Sequence, residues 1–263
     1  MKAHRPSTSA GCRAFSLVEL LVVLAVIVIL AGLLVPQLLR ARFNAKVTVC
    51  LSQYRQWGVA ANVYATDDGK GRLPSFRLPT NQLSFIEPYI LAHEMVTNLA
   101  PYGVGLPLWF CPTRPTRRWV TDANFRWLRG RELLTPADLV DEMTHVQRVN
   151  YYFGDLMWWV PRKLGETLEY PDPGLLQVRT PLSWPRRVDD PTVATQPMIS
   201  DWYLGTWDAD RQVVEIQDNS GGHQWAGRLR GLNAGFADGH VENRPRAQLK
   251  WQARRSGGSA YVY

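Results

Sequence analysis

The sequence predicts an α+β protein in which one long N-terminal helix packs on a globular head of antiparallel sheet. Three observations carry this prediction. Residues 15–36 form an almost unbroken apolar run. Residues 37–65 continue with apolar side chains every three or four positions, the spacing of an amphipathic helix. Residues 69–263 are rich in Pro, Gly and aromatic side chains, with short strand-like runs between turns, and are long enough for one sizeable core.

The apolar run is long enough to cross a membrane. Residues 15–36 would form a helix about 33 Å long, close to the roughly 30 Å hydrocarbon core of a bilayer. The preceding residues 1–14 carry Lys2, Arg5 and Arg13 and no acidic residue, as is typical of a flank held at the cytoplasmic face. Since no A-x-A-like cleavage site follows the run, a secretory signal peptide is disfavoured. A plain signal anchor stays an alternative.

Glu19 is the one carboxylate within the apolar run. A charged side chain inside a membrane helix costs about 2.5 to 3.5 kcal/mol on insertion scales, so such a residue is expected to have a functional partner. The alternative is that Glu19 lies close enough to the helix start to reach the headgroup region.

Residues 37–68 are predicted to continue the helix as the spine of the head. The helix should bend at Pro36, which lacks a backbone donor, and end near Gly69, which can adopt the left-handed cap conformation. Polar side chains fall on the other faces of the helix. The apolar stripe is formed by Leu39, Phe43, Val47, Cys50, Tyr54, Trp57, Ala61 and Tyr64.

The head, residues 69–263, is predicted to contain one short helix and several strands. The helix should run from Pro136 to Gln147, with Thr135 as N-cap and Asp138 in its first turn. Strands are expected at residues 109–110, 149–153, 197–200, 212–216, 235–237 and 239–242.

The net charge of +7 does not indicate a nucleic-acid-binding protein. Three of these charges lie in residues 1–14, and the other Lys and Arg residues are interspersed with Asp and Glu without a known nucleic-acid module. A solvated basic surface is the favoured interpretation.

Four residues of the C-terminal half are candidate metal ligands: Asp201, His223, Asp238 and His240. Oxygen and imidazole ligands suit a divalent cation. The favoured interpretation, however, is that Asp238-Gly239 forms the turn of a hairpin. Catalysis is the least favoured, because no known catalytic or nucleotide-binding motif is present, so neither an enzyme nor a cofactor is expected.

The run Ala14-Phe15-Ser16-Leu17-Val18-Glu19-Leu20 behind a basic leader resembles the type IV prepilin and pseudopilin signal. The resemblance implies that a prepilin peptidase cuts between Ala14 and Phe15 and methylates the new amine of Phe15. Glu19 and Pro36 match the glutamate and the helix-kinking proline of that family. Ala14 departs from it, because most members have Gly before the cut.

A second resemblance covers the head and is to the large pilin-like proteins of planctomycetes. That group has a C-terminal His followed by Asp-Gly, but here fourteen residues separate His223 from Asp238, more than in the group's pattern. The resemblance is carried by Cys50-Leu51, Gln53, Tyr64-Ala65, Asp67-Asp68, Leu73-Pro74, Cys111-Pro112, Asn150-Tyr151 and the run Asn233 to Val241.

The resemblance implies a structural subunit of a type IV pilus or a type II secretion pseudopilus. The expected partners are a prepilin peptidase, other pilin-like subunits and an inner-membrane assembly machinery. The expected topology is a single pass, with the leader in the cytoplasm and the head in the periplasm or at the cell surface. Alternatives are a membrane-anchored extracytoplasmic binding module and a tethered metal-dependent hydrolase.

This topology bears on the cysteines. Once the leader with Cys12 is removed, Cys50 and Cys111 remain, and an extracytoplasmic head is in oxidising surroundings. A disulfide between them and a pair of buried thiols are equally compatible with the sequence.

Overall fold

The computed structural model divides into two compact units, Met1–Asn44 and Ala45–Tyr263. The residues that the structure describes are 16–78, 88–149, 151–164, 168–170, 176–178, 184–208, 210–211, 213–218, 221–255 and 259–262.

The predicted N-terminal helix, α1, is present as Leu17–Asp67. Its start is closed by a capping box: the backbone N–H of Ser16 donates to Glu19 Oε2 at 2.9 Å, and the N–H of Val18 donates to Ser16 Oγ at 3.3 Å. Pro36 lies inside the helix, and the bend at this position stays a prediction.

Within the second unit, one face of α1 forms part of the core of the head. Of the predicted apolar stripe, Cys50, Tyr54, Trp57 and Ala61 are buried, whereas Val47 and Tyr64 are half-buried. The small residues Gly58, Ala60 and Ala65 are also buried, so the buried face is wider than the predicted stripe. Because their side chains are small, other backbone segments can approach the helix closely at these positions.

The head contains more helix than predicted. The predicted helix at Pro136 is confirmed as α4, with Thr135 and Asp138 forming a capping box. The 15-residue helix α3 was not predicted; its segment is mostly polar, and its buried residues are Thr121 and Phe125. The helices are α2 (His93–Asn98), α3 (Pro115–Arg129) and α4 (Pro136–Glu142), with a π-helical turn at Met143–Gln147 and 3-10 turns at Ala100–Tyr102, Leu106–Trp109 and Arg246–Gln248.

The strand predicted at residues 109–110 is wrong. The chain forms the 3-10 turn Leu106–Trp109 there, with Pro107 in its first turn. The turn is fixed against α1, because Trp57 Nε1 donates to the carbonyl of Leu108 at 3.2 Å.

The other predicted strands are confirmed. Residues 149–153 and 212–216 contain β2 and β9, and residues 197–200 overlap β7. The strands predicted at 235–237 and 239–242 are confirmed at Gly235, the end of β11, and at 241–242, the start of β12, whereas the residues between form the connecting turn. The strands are β1 (Ile90–Ala92), β2 (Tyr151–Phe153), β3 (Leu156–Trp158), β4 (Arg162–Leu164), β5 (Leu168–Tyr170), β6 (Leu176–Val178), β7 (Ile199–Asp201), β8 (Leu204–Asp208), β9 (Val213–Glu215), β10 (His223–Trp225), β11 (Arg228–Gly235), β12 (Val241–Pro245), β13 (Trp251–Arg255) and β14 (Ser259–Val262).

The described strands pair antiparallel in two five-stranded sheets and in two two-stranded sheets, β1-β2 and β4-β5. In the first sheet β11 is central: it pairs with β10, β12 and β7, and β7 pairs with β3. The second sheet has the order β6-β13-β14-β8-β9. The long strand β11 therefore places its hairpin partners β10 and β12 in the same sheet as β7, which ends at Asp201.

The core of the head has two main parts. The first lies against α1 and includes Trp57, Trp109 and Trp158. The second is centred on the adjacent residue Trp159 with Tyr203. Because successive side chains of an extended segment point to opposite faces, the Trp158-Trp159 pair supplies one fully buried indole to each part.

Candidate functional site

The N-terminal part of α1 presents an apolar surface on all sides. Every Leu, Ile and Val from Leu17 to Val35 is exposed in the single chain. By length and composition, this helix could cross a membrane. Glu19 lies in its first turn as the capping partner of Ser16, and the predicted cleavage site, Ala14 and Phe15, lies outside the described residues.

A second candidate site is a buried cluster of four side chains: Cys50, Cys111, Asp201 and His223. One potential ligand atom from each residue lies within 4.8 Å of the corresponding atoms of the other three. Exposure of the four residues is 6% for Cys111 and 1% for the others. The cluster joins α1, the segment before α3, the end of β7 and the start of β10.

Two hydrogen bonds from α1 place the Cys111 segment. Gln53 Nε2 donates to the carbonyl of Pro107 at 3.1 Å, and Trp57 Nε1 donates to that of Leu108. Gln53 and Trp57 follow Cys50 by about one and two helical turns, so the three side chains lie on one face of α1. The 3-10 turn is therefore held along the helix, and Cys111, which follows it, faces Cys50.

Asp155 supports Cys111 from the other side. The backbone N–H of Cys111 lies 3.4 Å from Asp155 Oδ2, and Arg117 Nε donates to Oδ1 at 3.1 Å. The Cys111 sulfur itself lies 3.0 Å from the Thr113 hydroxyl. The start of α3 and the Asp155 loop thus fix the backbone that carries this thiol.

The Asp201 carboxylate is held by two strong hydrogen bonds. The Tyr54 hydroxyl donates to Oδ1 at 2.7 Å, and the backbone N–H of Asn233 donates to Oδ2 at 2.6 Å. The Cys50 sulfur lies 3.5 Å from Oδ1. Because the donors come from α1 and β11, the carboxylate is oriented by both elements.

Two glycines directly precede His223 and set the backbone conformation that places its side chain in the cluster. Gly221 and Gly222 both have positive φ, of 128° and 62°, which a residue with a Cβ adopts at a cost. A Cβ at Gly222 would also collide with Leu232 and Leu229. The His223 ring nitrogen Nε2 lies 3.2 Å from Asp201 Oδ2, yet neither ring nitrogen has a hydrogen-bond partner within the described residues.

The two thiols have different proton affinities. The hydrogen bond from Cys50 lowers the pKa of Cys111 to about 6, with a further contribution from His223. The same hydrogen bond, together with burial, raises the pKa of the Cys50 thiol well above its ordinary value. For His223, burial would lower the pKa, but the Asp201 carboxylate reverses the effect and raises it. A thiolate at Cys111 is therefore favoured.

The structure separates the four metal candidates of the sequence into two sites. Asp201 and His223 lie in the cluster. Asp238 and His240 lie in the β11–β12 turn, where His240 Nδ1 is 2.6 Å from Asp238 Oδ1 and the imidazole stacks on Phe236. Gly239 has φ of 92° there, in agreement with the turn interpretation of Asp238-Gly239.

Sequence reasoning considered the cysteines and the Asp/His residues separately and did not bring them together. The structure places Cys50 and Cys111, the predicted disulfide partners, side by side as free thiols, so the disulfide stays a prediction. The glycine pair before His223 is the local signal that could have singled out this histidine over His240.

The family model for the prokaryotic N-terminal methylation motif matches residues 9–35. The match covers the end of the basic leader, the predicted cleavage site and nearly all of the apolar run. Among curated proteins and among solved structures, no match to this chain was found.

The chain therefore carries a prepilin-type methylation motif ahead of a long apolar helix. A long N-terminal helix followed by a head of antiparallel sheets is a pilin-like α+β arrangement. The motif and the fold together are consistent with a type IV pilin-like protein, and the apolar helix supports single-pass membrane anchoring.

Proposed function

We propose that this protein is a structural subunit that a prepilin peptidase cleaves and that then assembles, through its N-terminal helix, into a type IV pilus or a type II secretion pseudopilus. The observation that carries the proposal is the fully exposed apolar surface of residues 17–35 directly behind the methylation motif. Such a helix can be stored in a bilayer and can later pack against copies of itself.

Glu19 gives that packing a specific partner. Inside a bundle of apolar helices an unpaired carboxylate is costly, so it requires a positive group. Cleavage before Phe15 would create an amine four residues from Glu19 in each subunit. The amine of a neighbouring subunit then supplies the counter-charge, and the pairing sets the register between adjacent helices.

The proposed topology follows from the N-terminal signal, that is, from the basic leader and the apolar run behind it. The basic leader stays in the cytoplasm, residues 15–36 cross the inner membrane, and the head lies in the periplasm or at the cell surface. The peptidase and an inner-membrane assembly machinery are the partners that this route requires.

Processing can be tested by intact-mass and N-terminal peptide mass spectrometry of protein purified from membranes of a host with a prepilin peptidase. We expect a mature N-terminus at Phe15 that carries one added methyl group. Ala14→Gly, the residue usual in the family, should be cleaved at least as completely as the wild type. Ala14→Arg places a long charged side chain at the cut and should retain the leader. An intact leader on most wild-type molecules would contradict the proposal.

A further inference from the structure

We propose that Cys50, Cys111, Asp201 and His223 bind a zinc ion that fastens the head to its spine helix. The proposal concerns the interior of the head and is independent of filament assembly. Two thiolates, one imidazole and one carboxylate are all ligand types of protein-bound zinc, and four such ligands are the number that structural zinc sites use.

The distances fit a tetrahedral ion. With zinc bonds of about 2.3 Å to sulfur and about 2.0 to 2.1 Å to nitrogen and oxygen, the ligand atoms of a tetrahedron lie about 3.3 to 3.8 Å apart. Two of the ligand side chains already lie at about this separation from the carboxylate, each beside a different oxygen: Cys50 Sγ is 3.5 Å from Asp201 Oδ1, and His223 Nε2 is 3.2 Å from Oδ2. All four ligand atoms lie within 4.8 Å of one another, so small rotations of the side chains complete the site.

A disulfide would account for less of what the structure shows. It would join the two sulfurs but leave the imidazole of His223, which is 1% exposed, with the Asp201 carboxylate 3.2 Å from Nε2 and with neither ring nitrogen in a hydrogen bond within the described part of the chain. Buried polar groups without partners are costly and call for an explanation such as a bound ion. A zinc ion provides a partner for the imidazole, the carboxylate and both sulfurs at once.

The surroundings resemble a second coordination shell. The Tyr54 hydroxyl and the Asn233 N–H orient the Asp201 carboxylate, as outer-shell donors do around metal ligands. They also offset the single negative charge left when two thiolates and a carboxylate bind a divalent cation. On binding, each thiol that is still protonated releases its proton to solvent.

The site has the character of a structural centre and not of a catalytic one. The four protein ligands complete the tetrahedron, and a catalytic zinc keeps a position open for water or substrate. The cavity that borders Cys50 and Cys111 measures about 10 Å³, at the lower limit of what a water molecule needs. The ion would connect α1 to β7, β10 and the Cys111 segment, which are distant in sequence.

The first experiment is metal analysis of the full chain, purified in detergent under reducing conditions without chelator. We expect about one zinc per chain in the wild type and less than about a tenth of that in Cys111→Ser and in His223→Ala. His240→Ala is the matched control outside the cluster and should keep the zinc. Cobalt(II) in place of zinc should give thiolate-to-metal charge-transfer absorption that Cys111→Ser weakens.

A stability measurement keeps the test valid if a variant folds poorly. Removing the ion with a chelator should lower the Tm of the wild type by several degrees, and added zinc should restore it, because a ligand that binds only the folded state raises stability. The chelator should not change the Tm of His223→Ala. Zinc retained equally by both cluster variants would overturn the proposal, as would metal-free wild type with its thiols either free or joined in a disulfide.

Discussion

At the scale of single residues, Glu19 has two roles, and a substitution that removes both at once would not tell them apart. It accepts a hydrogen bond from the N–H of Ser16 and so caps α1, and it is the carboxylate of the apolar run. Glutamine can serve as the capping partner in the same position of a capping box, but it is uncharged. Glu19→Gln therefore removes the charge while keeping the cap, whereas Glu19→Ala removes both.

We expect Glu19→Gln and Glu19→Ala to insert into the membrane at least as well as the wild type, because a buried charge is removed. Both should fail to assemble, because the neighbour's amine loses its counter-charge. The measurement is the amount of tagged subunit in sheared filaments or in a sedimentable complex, with total membrane-bound subunit as reference. Wild-type assembly of Glu19→Gln would show that the charge is not needed.

At the scale of elements, α4 shows how a local sequence signal becomes a stable helix start. The Thr135 hydroxyl accepts from the N–H of Asp138, and Asp138 Oδ2 accepts from the N–H groups of Leu134 and Thr135. The hydrogen bond from Arg131 at 2.6 Å, with these backbone donors, holds the pKa of Asp138 well below its ordinary value. The cap is thus tied to the charged form of the carboxylate.

The pH dependence follows from the direction of that shift. Because the pKa of Asp138 is lower in the folded state, its contribution to stability is complete above the ordinary value near 4 and is lost as pH falls toward the folded-state pKa. Asp138→Asn should cost about 0.5 to 2 kcal/mol at neutral pH.

The difference in unfolding free energy between wild type and Asp138→Asn should therefore shrink on acidification below about pH 4. This difference can be measured by denaturant unfolding of the full chain in detergent at a series of pH values from 7 to 3. Glu132→Gln is the control, because Glu132 pairs with Arg126 on the exposed surface and such pairs contribute little. A constant difference at all pH values would contradict this account of the cap.

At the scale of the whole molecule, the head is organised by the contact between α1 and the β11–β12 hairpin. Asn62 Nδ2 donates to the carbonyl of Ala237 at 2.8 Å, across a large separation in sequence. A Cβ built at Gly58 would lie 3.6 Å from both Gly239 Cα and the carbonyl oxygen of Phe236. There is room for one methyl group and for no more.

Gly58→Ala should therefore be neutral or stabilise the protein by up to about 1 kcal/mol, because alanine favours a helix over glycine. Gly58→Leu should destabilise it by about 1 to 3 kcal/mol, since the added atoms must displace the hairpin backbone. Val59→Leu adds bulk at the adjacent exposed position and should be nearly neutral. Thermal unfolding measures all three, and a tolerated Gly58→Leu would show that the helix and hairpin are not closely packed.

Patterns within a few residues were sufficient to predict α1, the N-cap of α4 and the Asp238-Gly239 turn. Helical periodicity, capping side chains and Asp-Gly turns act through neighbouring backbone groups, so their effects are encoded locally. The same holds for the N-terminal signal, because the basic leader, the apolar run and Glu19 lie within one short stretch, of which the family model matches residues 9–35.

Only the tertiary structure decided which polar residues meet. Cys50 and Asp201 are 151 positions apart, and no local pattern relates them. Trp109 lies in a 3-10 turn and not in a strand because the Trp57 indole binds the carbonyl of Leu108. His223 and His240 both follow a glycine in the sequence, yet one is buried beside Asp201 and the other is half-exposed in a turn. Burial and long-range pairing select among side chains that are chemically equivalent in the sequence, and these depend on how α1, β7, β10 and β11 pack together.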